Sequence, residues 1–151
     1  MAELRSKLLF ELTIDLEEPQ IIGDVPHGNR QILSNTGGSF EGPRLRGEVL
    51  PHGADWYLTR SDGVGELDVR VTLRTDDGDL IYMKSVGIFR YPQELAGRVL
   101  RGEADPAEYY MRDTSAFETA SEKYGWLNSI VAVGVGSYRP GRVGMTVYEI
   151  E

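Results

Sequence analysis

The chain contains no cysteine, which excludes disulfides, thiol nucleophiles and thiolate metal sites. It has two histidines, His27 and His52, each next to a glycine, and neither belongs to a His-Glu-x-x-His or facial-triad spacing. No metal site is expected. Long hydrophobic runs are missing as well: the stretch Ile130 to Val135 is far short of the roughly 20 apolar residues a membrane helix needs. Positive charge is scarce, with 16 Lys and Arg against 24 Asp and Glu, and the net charge of -8 opposes attraction to phosphate backbones or anionic lipid. Neither nucleic acid nor membrane is an expected partner. A Gly-x-Ser-x-Gly elbow is absent, so no serine triad is expected, and Gly134-Val135-Gly136 lacks the third glycine and following helix of a dinucleotide site, so no cofactor is expected. Met1 is followed by charged residues rather than by the apolar core of a secretory signal, which leads to the expectation of a soluble, cytoplasmic protein.

Glycine, by contrast, is abundant. The 18 Gly and 7 Pro punctuate the 151 residues at the rhythm of short strands and tight turns, and no linker or repeat divides them. Residues 1–151 therefore read as a single domain. Leu8, Phe10, Leu12, Ile14 and Leu16 alternate with other residues and place one apolar face on a first strand. Between the turn dipeptides Asp62-Gly63 and Asp77-Gly78 runs Val64 to Thr75, with Leu67, Val69, Val71 and Leu73 on one face and Asp68, Arg70, Thr72 and Arg74 on the other. Further strands are predicted at 80–90, 30–35, 44–50, 55–60, 109–119, 127–139 and 142–150. Only 92–101 and 121–124 read as helical, and both are brief. About eight to ten strands in a chain this short predict an all-β fold, a single antiparallel sheet closing into a barrel so that no edge is left exposed.

Asp76-Asp77-Gly78-Asp79 resembles part of a calcium loop but lacks the downstream glutamate, so it reads as a hairpin turn. The most distinctive stretch runs from Gly37-Gly38 to Asp55-Trp56 and holds five glycines. No helix follows the glycine pair, so it reads as a bend or bulge rather than a phosphate loop. This stretch, with Leu67-Asp68-Val69-Arg70, Thr75-Asp76-Asp77-Gly78, Tyr110-Met111-Arg112, Phe117-Glu118-Thr119 and Tyr124-Gly125-Trp126-Leu127-Asn128, resembles domain-of-unknown-function family 3237 almost end to end. The resemblance implies a closed antiparallel barrel, dimeric, similar in architecture to allene oxide cyclase and dirigent-type barrels. It implies no established reaction. Those architectural relatives guide small organic molecules through cyclisation or coupling without a cofactor, an analogy of fold alone.

In a small barrel, inward and outward side chains alternate, so Asp68 and Arg70 face together, into the lumen or away from it. Facing inward, Asp68 would accept a proton and Arg70 would hold an oxyanion; facing outward, they form a solvated ion pair. Asp55 beside Trp56 is either a partly buried general acid or base, or a turn cap next to core filler. Arg30 is a candidate anion anchor at the mouth, although with 13 Arg and 3 Lys no arginine is distinctive by identity. Tyr82 and the same-face pairs Tyr110 with Arg112 and Trp126 with Asn128 complete the candidate binding residues, each pair offering an aromatic wall beside a polar tip. Asp55 and Asp68 are the expected catalytic residues. Three functions follow: a cofactor-independent isomerase, cyclase or lyase acting on an oxygenated metabolite; a non-catalytic carrier of such a molecule; or a structural homodimer whose lumen is filled by its own side chains.

Overall fold

The computed structural model describes Met1–Glu151. Its strands are β1 (Ser6–Leu16), β2 (Gln20–Val25), β3 (Gly28–Glu41), β4 (Arg46–Val49), β5 (Ala54–Thr59), β6 (Gly65–Thr75), β7 (Leu80–Arg90), β8 (Tyr110–Glu118), β9 (Val131–Arg139) and β10 (Arg142–Ile150), with one short helix, α1 (Ala96–Leu100). Every ladder is antiparallel. Strands β10, β9, β8, β7 and β6 follow one another from β1, and β3 closes the ring by pairing with β1 through its second half. Between β3 and β6 a single barrel position is shared by two strands, β4 beside Ser39–Glu41 and β5 beside Asn29–Ser34. The result is a closed eight-position barrel, with β2 added along the first half of β3. Closure pairs both sides of the wall strands, so little sheet edge remains.

Two irregularities place the side chains. On β1 the pairing with β10 slips between Leu8 and Phe10, so Leu9 and Phe10 are both fully buried while Leu8 turns partly to solvent. Strict alternation predicts Leu8 inside; a β-bulge inserts one residue and reverses the face at that point. On β3 the pairing with β1 slips between Asn35 and Gly37, so the expected irregularity at the glycine pair is a bulge inside one long strand. At Gly38 a Cβ would lie 2.0 Å from the Thr13 carbonyl oxygen, so only glycine permits this approach of β3 to β1.

One half of the barrel is packed solid. Phe10 meets Phe40 and Phe117 edge to face at 5.4 and 6.0 Å, surrounded by Leu9, Leu73, Ile81, Leu127 and Val147, all almost fully buried. Residues 127–129, expected as the start of a strand, belong instead to a 3-10 segment, Gly125–Ser129, that seats Leu127 in this end before β9 begins. The opposite half ends at the β9–β10 turn and at α1. There Gly102, in the left-handed region, stops the helical segment expected over 92–101, and Val99 is buried beneath it. No helix is long and apolar enough to cross a membrane.

Candidate functional site

The half of the barrel nearest α1 is hollow, with a cavity of about 320 Å³. Its walls are mostly aliphatic and aromatic: Leu12, Ile14, Leu33, Leu67, Val69, Val71, Met83, Phe89, Met111 and Met145. Tyr57, Tyr91 and Tyr138 add phenols, and exposed Glu17, Pro19, Leu100 and Pro140 mark the mouth. The volume lies at the small end of the range for organic ligand pockets. A lumen wholly filled by its own side chains, one of the three expected arrangements, is therefore not what the chain builds.

Two carboxyl groups interrupt this apolar wall. Asp55 on β5 is register-paired with Leu33 on one side and Val69 on the other, both lumen-facing, so the ladder directs it inward. It is 9% exposed and accepts one hydrogen bond, from the Asp68 backbone N–H at 2.9 Å. Burial pushes its carboxyl up to about 7, helped by the negative charges of Asp68 and Asp113 and opposed by the Asp68 amide and the charge of Arg30. Asp113 on β8 is 6% exposed and flanked in register by Gly87 and Gly134. A Cβ on Gly134 would lie 2.2 Å from Asp113 Oδ1, so glycine there leaves room for the carboxylate, while one on Gly87 would lie 2.2 Å from the Arg112 carbonyl oxygen, so glycine there permits the close approach of β7 to β8. Burial lifts Asp113 to about 6, against the Ser85 hydroxyl and the Gly134 amide, which pull it down. Its Oδ1 has no hydrogen-bond partner. An unpaired buried oxygen is costly while ionised, which is the physical reason this carboxyl keeps its proton longer than an exposed one.

Other polar groups complete the wall. Ser85 and Ser115 share a 2.7 Å hydrogen bond across β7 and β8, and Asn35 donates through Nδ2 to the Leu50 carbonyl at 2.8 Å. No group of three or more acidic or histidine side chains converges as a metal ligand set. The chemistry available is proton transfer: a carboxyl titrating near neutrality, in a mostly water-excluding wall, gives and takes a proton at comparable cost.

Of the residues expected from sequence, Asp55 lines the cavity and the other nine do not. The lumen face of β6 is the Leu67, Val69, Val71 face, so Asp68 and Arg70 point outward, where they form a half-exposed ion pair at 3.2 Å. Only the Asp68 backbone reaches the site. Arg30, Trp56 and Asp68 do assemble, but in a separate, more open depression on the outer wall, where an Arg30 guanidinium nitrogen donates to the Trp56 carbonyl at 2.7 Å and the Arg70 guanidinium lies 5.3 Å from the Trp56 ring centre. Tyr82 and Tyr110 are partly exposed on the outer face. Arg112 lies 4.9 Å from the Tyr110 ring centre and donates to the Met111 carbonyl. Trp126 packs at the solid end beneath Arg44, 3.9 Å from its ring centre, and Asn128 pairs with both backbone groups of Thr119, ending β8.

Asp113 was within reach of sequence reasoning. Met111 and Phe117 are the strongest apolar residues of their strand and share a face with Asp113 and Ser115, so hydrophobicity alone points that face inward.

Fold and site together define a class: a small antiparallel barrel, solid at one end, with an apolar cavity carrying two buried acids. Residues 4–150 match the family model described as "Protein of unknown function (DUF3237)", and the chain belongs to that family. It is 37% identical over 150 residues to a Clostridium acetobutylicum protein named "UPF0311 protein CA_C3321", covering 98% of this chain and 95% of that one. The crystal structure of RPA1785 from Rhodopseudomonas palustris, described as a conserved protein of unknown function, superposes with a TM-score of 0.95 at 33% identity, covering both chains completely. A crystal structure described as an enzyme from Penicillium herquei has a TM-score of 0.75 at 22% identity, covering 100% of this chain and 97% of that one, and shares the fold.

Proposed function

We propose that this barrel is a cofactor-independent proton-transfer enzyme, an isomerase, cyclase or lyase, acting on a small oxygenated organic molecule held in the cavity. The observation that carries the reading is Asp55: a nearly buried carboxyl in an apolar cavity wall, held by one backbone amide, with its titration moved to about 7. In its ionised form Asp55 takes a proton from a substrate carbon or hydroxyl, and in its neutral form it returns the proton to another substrate atom, so no redox partner is required. Asp113 supplies a second site of the same kind elsewhere on the wall. That a barrel of this fold from Penicillium herquei is described as an enzyme supports catalysis as something the fold can carry.

The test has two stages. A thermal-shift screen against phenolic, polyketide-like and short carboxylic compounds identifies ligands, since a ligand at 100 times its Kd adds about 2.7 kcal/mol of stability. Each hit is then incubated in deuterated water and followed by NMR. Catalysis appears as product or as deuterium entering one carbon position, and Asp55→Asn lowers that rate by about 10²- to 10⁴-fold while binding persists. Binding without exchange or turnover for every hit would assign the cavity to a carrier instead.

A further inference from the structure

The charge inventory of the cavity is one-sided. Asp55 and Asp113 sit in its wall and Glu17 at its mouth, while no Lys, Arg or His lines it. This is unusual in a chain with 13 arginines, and the register explains it: the arginines on the strands around the cavity, such as Arg30, Arg70 and Arg112, occupy the outward positions. Neither buried acid is neutralised by an ion pair, whereas twelve ion pairs form elsewhere. A carboxylate ligand entering here would bring a further negative charge into a low-dielectric space with no cation to meet it. An ammonium ligand would lose its hydration against walls that are largely hydrocarbon.

We infer that the cavity accepts an uncharged molecule with hydroxyl or carbonyl groups, and that Asp55 and Asp113 act as specificity residues that reject the carboxylate analogues of its ligand. The inference rests on the small-molecule reading of the cavity and narrows it to a substrate class. Arg30 and Arg70, the groups from which an anion anchor would be expected, lie outside the lumen: the charge of Arg30 reaches Asp55 through the wall, but neither side chain lines the cavity where a ligand would meet it.

The experiment compares three probes built on one ring system: naphthol, naphthoate and naphthylmethylammonium. Affinities are measured by titration calorimetry at about pH 8, where naphthol, like other phenols with a pKa of about 10, is uncharged. Wild-type protein is compared with the double variant Asp55→Asn and Asp113→Asn, whose side chains keep their size and lose their charge. Wild-type protein is expected to bind naphthol at least tenfold more tightly than either charged probe. The double variant is expected to gain at least tenfold in naphthoate affinity and to keep naphthol within a few-fold, a gain of binding that a misfolded variant could not produce. Naphthoate bound by the wild type as tightly as naphthol would overturn the inference and leave the cavity reading intact. Tighter binding of the ammonium probe would overturn the uncharged class, and exclusion of naphthoate that persists in the double variant would remove the two aspartates as its cause. If no probe binds either protein, the inference falls together with the cavity reading.

Discussion

Replacing Asp55 by Asn should make the protein more stable at alkaline pH, an unusual outcome for a substitution in a candidate active site. The folded protein holds the Asp55 proton up to about pH 7, whereas the unfolded chain releases it near the ordinary 3.8. Between those values the native state binds more protons than the unfolded state, so stability falls as pH rises, by about 1.4 kcal/mol per pH unit for one group. Above pH 7 the loss is complete. The interval from 3.8 to about 7 corresponds to roughly 4 kcal/mol. Below the unfolded value the carboxyl is neutral in both states, so wild type and variant should differ little there. Asn keeps an oxygen to accept the Asp68 N–H, so the 2.9 Å hydrogen bond is not a competing loss. The assay is urea unfolding at a series of pH values from about 4 to 9, followed by tryptophan fluorescence, with stability taken by linear extrapolation. The surface carboxylates titrate in both proteins and cancel, so the difference between the two curves reports Asp55 together with its smaller charge coupling to Asp113. The expected difference opens between pH 4 and 7 and then stays level at a few kcal/mol in favour of the variant. A difference that is flat across this range, or that favours the wild type at high pH, would mean that Asp55 ionises freely in the folded protein, and the proton-transfer reading would lose its basis. Because the variant is expected to be the more stable protein, loss of turnover in it could not be ascribed to unfolding.

Gly134→Ala should lower the melting temperature, at a cost of about 1–3 kcal/mol, because the new Cβ falls 2.2 Å from Asp113 Oδ1 and the carboxyl must move into the cavity; ligand affinity should drop in the same variant. Phe10→Ala should cost about 3–5 kcal/mol in urea unfolding, since it hollows the solid end where Phe40 and Phe117 meet. Arg70→Ala should leave the affinity of any cavity ligand unchanged in calorimetry, because the side chain pairs with Asp68 on the outer wall; a tenfold loss would show that the outer depression, and not the lumen, is the binding site.

The period-2 patterns determined which residues share a face: Leu67 with Val69 and Val71, Asp68 with Arg70, Tyr110 with Arg112. This much is local, because successive side chains on any extended strand alternate. The turn dipeptides likewise placed the β5–β6 and β6–β7 hairpins, since glycine at positive φ is a property of the turn itself, as at Gly63 and Gly78. Which face becomes the lumen is not local. It depended on closure of β3 onto β1, and that pairing joins residues far apart in the chain. Closure turned the Asp68 and Arg70 face outward, while the Met111 and Asp113 face was already marked as inward by its own apolar residues. The bulge at Leu9 and the 3-10 seat of Leu127 were also tertiary decisions, taken because filling the solid end outweighed regular alternation and strand continuation. Asp55 was visible in sequence as a carboxylate beside an aromatic. Its elevated titration was not, because that comes from desolvation by walls contributed by strands along the whole chain.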